Sequence, residues 1–175
     1  MPHVIESAPT GRAKCRGCGA KIDAGALRFG EALPNPFGEG DTTHWFHLDC
    51  GAFKRPEPFL EALGAREEPL DGKEGLEAAA RAGIDHPRLV RVDGAERSPT
   101  GRAECRHCRE AIPKDAWRVR LVFWEEGRFN AAGFVHVRCA PAYFETGDLL
   151  PRVRRFAPAL TDEDARAIEA ELPGK

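Results

Sequence analysis

The chain has 175 residues, 42% of them hydrophobic and 31% charged, with a mean hydropathy of −0.46. That is the composition of a folded chain, with room for one ordinary domain of ~100–150 residues or two smaller ones. No apolar run approaches the ~18–20 residues of a membrane helix, and the first fifteen residues lack the apolar stretch of an export signal, which argues against a membrane span and Sec-type export. The formal net charge of −2 offers no global basic field, but it is uneven: +1 over residues 1–56, −4 over 57–97, +3 over 98–140 and −2 over 141–175.

Taken in chain order, the first feature is Cys15-x2-Cys18, followed after 28 residues by His47-x2-Cys50. Between them, Ala26-Leu-Arg-Phe-Gly30 reads as a strand and Thr43-His-Trp-Phe-His47 as the return strand carrying the histidine. A short helix is expected after Cys50, and another over Gly72–Ala82. Cys105-x2-Cys108 then repeats the grammar, with His136-x2-Cys139 27 residues later. Trp117–Trp124 alternates as a strand before a Glu-Glu-Gly turn, Gly133-Phe-Val-His136 is its return strand, and a short helix is expected after Cys139. The last predicted helix is Asp162–Leu172, with Thr161 as N-cap, acids in its first turn and Pro173-Gly174 as its stop.

Each cysteine set supplies three thiolates and one imidazole, a closed tetrahedral donor set of the kind zinc takes structurally. The predicted ligands are Cys15, Cys18, His47 and Cys50 for one ion and Cys105, Cys108, His136 and Cys139 for a second, so the expected cofactors are two structural Zn2+. His44 and His107 lie off the repeated spacing. An even cysteine number also permits disulfides, but the duplicated spacing favours metal. Four protein ligands leave no open position for a catalytic water.

The two sets lie in a tandem repeat. Glu6-Ser-Ala-Pro-Thr-Gly-Arg-Ala-Lys-Cys15 aligns with Glu96-Arg-Ser-Pro-Thr-Gly-Arg-Ala-Glu-Cys105 at an offset of 90, and Ile22 and Arg28 align with Ile112 and Arg118. The predicted architecture is α+β: two small zinc-stabilised modules, residues 1–92 and 93–175, each a short antiparallel sheet with helices around its site. The fingers themselves occupy about 7–55 and 98–145, and each core is small enough to need its metal.

At Gly-Arg-Ala-x-Cys-x2-Cys, the following Ile-x4-Leu/Trp-Arg, Ile112-Pro-Lys-Asp115 and Trp45-Phe-His-x2-Cys50, the sequence resembles the PARP-type zinc fingers of poly(ADP-ribose) polymerase and of a vertebrate DNA ligase. The resemblance implies binding to DNA nicks, gaps and ends without sequence readout. It implies phosphate contacts from Arg12 and Arg28 in the first module and Arg102 and Arg118 in the second, where a guanidinium can grip one phosphate through two hydrogen bonds. It also implies apolar stacking on the base pair exposed at a break, by Phe37 with Leu33 second in the first module, and by Trp124 and Phe129 in the second. Trp45 is expected in the core.

The second loop departs from the family in being one residue shorter and in placing Glu125 and Glu126 where phosphates would approach. Two plainer readings stand beside these: the arginines are ordinary surface charges, or the aromatics pack in each finger's own core. No P-loop, dinucleotide or nucleophile motif appears, so the chain is not expected to be an enzyme. The expected partner is broken DNA, with a repair or ADP-ribosylating enzyme acting in trans. The alternative is a zinc-stabilised protein-interaction module. Reduced thiolates place the chain in the cytoplasm, nucleoid-associated in a bacterium, or in a eukaryotic nucleus; the 20 arginines to 6 lysines hint at a GC-rich bacterial genome.

Overall fold

Alternation dictates the first sheet. In β2 (Leu27–Pro34) Phe29 points inward and meets Phe46 of β3 (Asp41–His47) at an antiparallel pair, with ring centroids 5.7 Å apart. On the other side of β2, β1 (Val4–Ser7) pairs antiparallel, setting Ile5 opposite Phe29. The computed structural model, which describes residues 1–173, thus has a three-stranded sheet ordered β1-β2-β3. Three helices follow: α1 (Leu48–Lys54), α2 (Pro56–Ala65) and α3 (Lys73–Asp85). Arg55, with φ −133°, interrupts the helical run, and Pro56 restarts it at a first-turn position where its missing N–H costs nothing.

Phe59 of α2 reaches the sheet and meets Phe29 edge-on at 5.4 Å and 81°. Phe29, Phe46, Phe59 and Ile22 are fully buried and form the centre of this unit. Glu31, buried on β2, accepts hydrogen bonds of 2.9 and 3.1 Å from Arg55 Nε and ties the sheet to the α1–α2 junction. A buried ion pair of this kind is worth little against an apolar substitute but is costly to break on one side.

The second unit has the same plan. A 3-10 turn at Pro87–Arg91 leads into β4 (Val92–Arg97), which pairs antiparallel with β5 (Trp117–Glu125), and β5 pairs with β6 (Arg128–His136). The β5–β6 hairpin closes at Glu126 and Gly127, both with positive φ (50° and 79°), the pattern of a two-residue turn matched to strand twist. Both flanking strands carry a bulge, near Gly94 on β4 and near Ala132 on β6. At Gly94 a Cβ would lie 2.7 Å from the Phe156 carbonyl oxygen, so the missing side chain lets α5 (Leu150–Phe156) close on the sheet. α4 (Ala140–Phe144) follows the last cysteine, and α6 (Asp162–Glu171) opens with a capping box between Thr161 and Asp164, both bonds 3.0 Å.

The two compact units divide between Asp85 and His86, ahead of the expected division after residue 92. The difference arises because Pro87–Arg91 packs on β5 and α4 and so joins the second unit. All four predicted strands form, the first losing Ala26 but running on to Pro34 and the other three extended by one to five residues, and the predicted helices occur over Lys73–Asp85 and Asp162–Glu171. The Gly174 stop lies outside the described residues. Trp45 is corrected: it lies half-buried on the outer face of the sheet, while Phe46 takes the core position.

Gly51 on α1 marks the tightest approach of helix to sheet, since a Cβ there would stand 2.6 Å from the Phe29 ring and 3.2 Å from Phe59. Overpacking of this kind costs about 1–3 kcal/mol. Gly51→Ala is therefore expected to lower stability by that amount, read as a lower urea midpoint at unchanged slope. A neutral substitution would mean that the two rings have room to retreat.

Candidate functional site

Each metal centre starts from a hairpin knuckle. In the first, the Cys15 N–H donates to the Ala20 carbonyl, the Gly19 N–H to the Cys15 carbonyl (both 2.8 Å), and the Ile22 N–H to the Ala13 carbonyl at 2.9 Å. Gly19 turns the chain with φ +79°. The fold of this turn aims both sulfurs of the Cys-x2-Cys pair one way. The Arg16 N–H donates to the Trp45 carbonyl at 2.9 Å, fixing the knuckle against β3. β3 ends at His47, and α1 then brings Cys50 round one turn later. The second knuckle repeats every one of these bonds: Cys105 to Glu110, Arg109 to Cys105, Ile112 to Ala103 and Arg106 to Phe134, at 2.8–2.9 Å.

The four ligand atoms of each set lie within 4.8 Å of one another. A tetrahedral zinc with sulfurs at ~2.3 Å spaces neighbouring sulfurs by about 3.8 Å, so the sets fit the ion. In the first, His47 Nδ1 faces Cys18 Sγ at 3.3 Å and Cys50 Sγ at 4.0 Å; in the second, His136 Nδ1 faces Cys108 Sγ at 3.4 Å and Cys139 Sγ at 3.8 Å. The other ring nitrogen settles the tautomer. His47 Nε2–H donates to the Lys21 carbonyl at 3.1 Å and His136 Nε2–H to the Ala111 carbonyl at 3.2 Å, leaving the Nδ1 lone pair for metal. The chain holds two structural Zn2+ at these sites. His44 and His107 belong to neither set.

Backbone amides prepare the sulfurs. Cys15 Sγ accepts from the N–H groups of Gly17 and His47 at 3.3 Å, and Cys105 Sγ from those of His107 and His136 at 3.4 Å. A hydrogen bond from Cys50 is the largest influence holding Cys18 down to about 4 and Cys15 down to about 6. Burial raises Cys105, but the N–H groups of Cys108, His136 and His107 outweigh it and bring that thiol to about 7. Burial, with the charge of Cys105 next, pushes Cys139 up to about 12. Without metal, Cys139 keeps its proton at neutral pH, and zinc must displace it.

The predicted phosphate arginines fall into two kinds. Arg12 and Arg102 are exposed beside their knuckles. Arg28 and Arg118 are not: they are 7% and 6% exposed, each over an aromatic ring and paired to a carboxylate. Arg28 lies 3.4 Å over the Trp45 ring and donates to Glu6 at 3.0 Å; Arg118 lies 3.4 Å over the Phe134 ring and meets Glu96 at 3.5 Å and Ser98 Oγ at 3.3 Å. Gly30 makes the first stack possible, since a Cβ there would be 2.6 Å from the Trp45 ring. Sequence register showed that these arginines were constrained but not that the constraint was a carboxylate-arginine-aromatic sandwich; the aligned Glu6 and Glu96 were the available signal.

The stacking candidates also separate. Phe37 stands 96% exposed at the tip of the β2–β3 loop, its N–H held by Asn35 Oδ1 at 3.0 Å, with Leu33 half-buried behind it. Trp124 and Phe129 are half-buried across the β5–β6 hairpin, their rings 4.7 Å apart and tilted 58°. The second module's turn presents Glu125 and Glu126, both exposed.

Residues 6–86 match the Poly(ADP-ribose) polymerase and DNA-Ligase Zn-finger region. Over 200 aligned residues the chain is 26% identical to a poly [ADP-ribose] polymerase of Sarcophaga peregrina, covering 99% of this chain and 20% of that protein. It is 26% identical over 182 residues to polynucleotide 3'-phosphatase ZDP of Arabidopsis thaliana, covering 85% of this chain and 25% of the relative. A 50-residue stretch is 36% identical to poly [ADP-ribose] polymerase 1 of Caenorhabditis elegans, covering 29% of this chain and 5% of that protein. The chain thus spans about a fifth to a quarter of the first two relatives.

Two zinc ions per chain are expected by elemental analysis, one in Cys50→Ser and one in Cys139→Ser. Each substitution should abolish cooperative melting of its own unit and leave the other, as chelation does for small metal-built domains. Zinc added to metal-free protein in weak buffer at neutral pH should release protons. No acidification would mean that the free sulfurs are already ionised.

Proposed function

We propose that this chain, whose residues 6–86 match the PARP-type zinc-finger region, binds DNA at strand breaks without reading base sequence. The observation that carries the reading is Phe37: a large apolar ring, 96% exposed, on a loop tip built by the same sheet that carries the zinc ligand His47. An intact duplex offers such a ring no free base face, whereas a nick, gap or end does. Base–aromatic stacking contributes ~1–3 kcal/mol per base and tolerates any sequence. The family match and the relatives' names, a polymerase of ADP-ribose and a polynucleotide phosphatase, agree with a nucleic-acid partner.

In this reading Arg12 and Arg102 contact phosphates directly, because they are exposed beside the rigid knuckles. Arg28 and Arg118 contribute chiefly by holding the sheet face, and a phosphate reaches either guanidinium by taking the place of Glu6 or Glu96. Phe37, backed by Leu33, supplies the stacking. The second module has no equivalent tip, since Trp124 and Phe129 pack on each other and its turn is acidic. The first module is therefore the one that reads the exposed base pair. The matched region is a zinc finger, so the chain acts as a binding module, with any chemistry supplied by a repair or ADP-ribosylating enzyme in trans.

Binding to a nicked hairpin duplex is expected to exceed binding to the same hairpin sealed, at one stated moderate salt concentration, since phosphate contacts are salt-dependent. Phe37→Ala should weaken the nicked complex about tenfold, the loss of roughly 1.4 kcal/mol of stacking, and leave sealed-duplex binding unchanged. Arg12→Ala should weaken both. Equal binding to both hairpins, indifferent to both substitutions, would favour the protein-interaction reading.

A further inference from the structure

The second unit carries a cavity of about 410 Å3 that the break-binding reading leaves unused. Its size falls in the ~300–1,000 Å3 range of small-molecule sites. Four arginines line it, Arg88 and Arg91 from the 3-10 turn and Arg106 and Arg109 from the knuckle, together with His107 and the rings of Phe123 and Tyr143; no acidic residue does. Among the described residues none of the four arginines is ion-paired, in a chain whose net charge is negative.

Two of the arginines are held in place before any ligand arrives. Arg91 donates to the Tyr143 hydroxyl at 2.9 Å and lies 4.4 Å over the Phe123 ring, which is 49% exposed. Arg88 donates to the Tyr143 carbonyl at 3.2 Å. Phe123 lies on the opposite side of β5 from Arg118 and Trp124, because alternate residues of a strand face opposite ways. The cavity is thus separate from the arginine–aromatic face of the same unit. At the β6 bulge, Gly133 (φ +98°) leaves room for Arg106, whose Nε a Cβ at Gly133 would meet at 2.7 Å.

The tandem repeat supplies an internal comparison. At the offset of 90, His107 and Arg109 stand where the first unit has Gly17 and Gly19, and only Arg106 has a basic counterpart, Arg16. Gly19 has φ +79°, and Arg109 adopts the same left-handed backbone with φ +67°. Side chains disfavour that conformation and glycine does not. An arginine kept at a glycine-type position, aimed into a cationic cavity, is strain that the fold does not require.

We propose that this cavity is a phosphate site taking two closely spaced phosphate groups, those of a nucleoside diphosphate or of adjacent nucleotides in a nucleic-acid strand. Arg88, Arg106 and Arg109 are exposed, and guanidinium forks gathered without a carboxylate suit a ligand with more than one negative charge, each fork matching phosphate oxygens two at a time. The site is independent of the break reading, since it needs neither Phe37 nor a free base face.

The test is calorimetric titration of the full zinc-loaded chain with pyrophosphate and with orthophosphate at equal ionic strength, zinc content being checked before and after. Pyrophosphate should bind more tightly. Arg88→Ala and Arg109→Gly should each weaken it at least about tenfold, the loss of one charge-assisted hydrogen bond, while Arg16→Ala leaves it unchanged. Arg109→Gly restores the residue that the first unit already tolerates at this turn, so its melting temperature should not fall. Displacement of pyrophosphate by ADP would identify a nucleotide as the source, and displacement by a sealed DNA hairpin, lost in Arg109→Gly, would identify a strand backbone. No saturable binding, equal loss in Arg16→Ala, or displacement by neither competitor would overturn the proposal.

Discussion

A single Zn2+ in each unit joins a knuckle to the end of a strand and to the first turn of the helix after it. Each unit has only one three-stranded sheet and a few short helices, a size at which burial alone leaves little margin. Structural zinc binding is worth ~10–16 kcal/mol in small metal-built domains, comparable to the whole ~5–15 kcal/mol stability of an ordinary protein. The metal is therefore part of the core. Phe29, Phe46 and Phe59 pack on one another in the same unit, and the ligand histidine is aimed by a backbone carbonyl.

The same dependence explains why so much was legible in the sequence. Tetrahedral coordination fixes which residue types must meet, and the knuckle fixes their spacing, so both ligand sets could be read without a structure. Strands around the ligands were legible because their alternation is strong, as in Trp117–Trp124. β1 and β4 were not. β1 is four residues long, and β4 is interrupted by the bulge at Gly94, so neither has enough alternation to stand out. α5 was not anticipated, because its three arginines mask its apolar side; in the structure Arg152 is buried with Val153 and Phe156. Burial lowers the pKa of Arg152 to about 10.

The arginines show where register stops being informative. Arg12, Arg28, Arg102 and Arg118 all recur at the repeat offset, yet recurrence could not separate an exposed contact from an internal strut. The structure separates them: Arg28 and Arg118 are planar spacers between a carboxylate and a ring, a geometry lysine could not supply. Aromatic exposure divides in the same way. Phe37 projects from a loop of Pro, Gly and Asn, whereas Trp124 and Phe129 face each other across a tight turn that leaves no free tip. The two units share a scaffold and differ in what each displays.

Two identical ligand grammars in one chain also pose an assembly problem. Cys15 and Cys18 would satisfy a metal as well with His136 and Cys139 as with their own partners, and a crossed site would lock two half-folded modules together. The division at Asp85 and His86 answers this, because each unit is one uninterrupted stretch of chain and each ion is ligated within 36 residues, from Cys15 to Cys50 or from Cys105 to Cys139. Domains fold as units during synthesis, N-terminal first. The first four ligands leave the ribosome, and can be claimed, before the second set has been translated. Correct metal pairing is thereby written into the order of translation as much as into the final geometry.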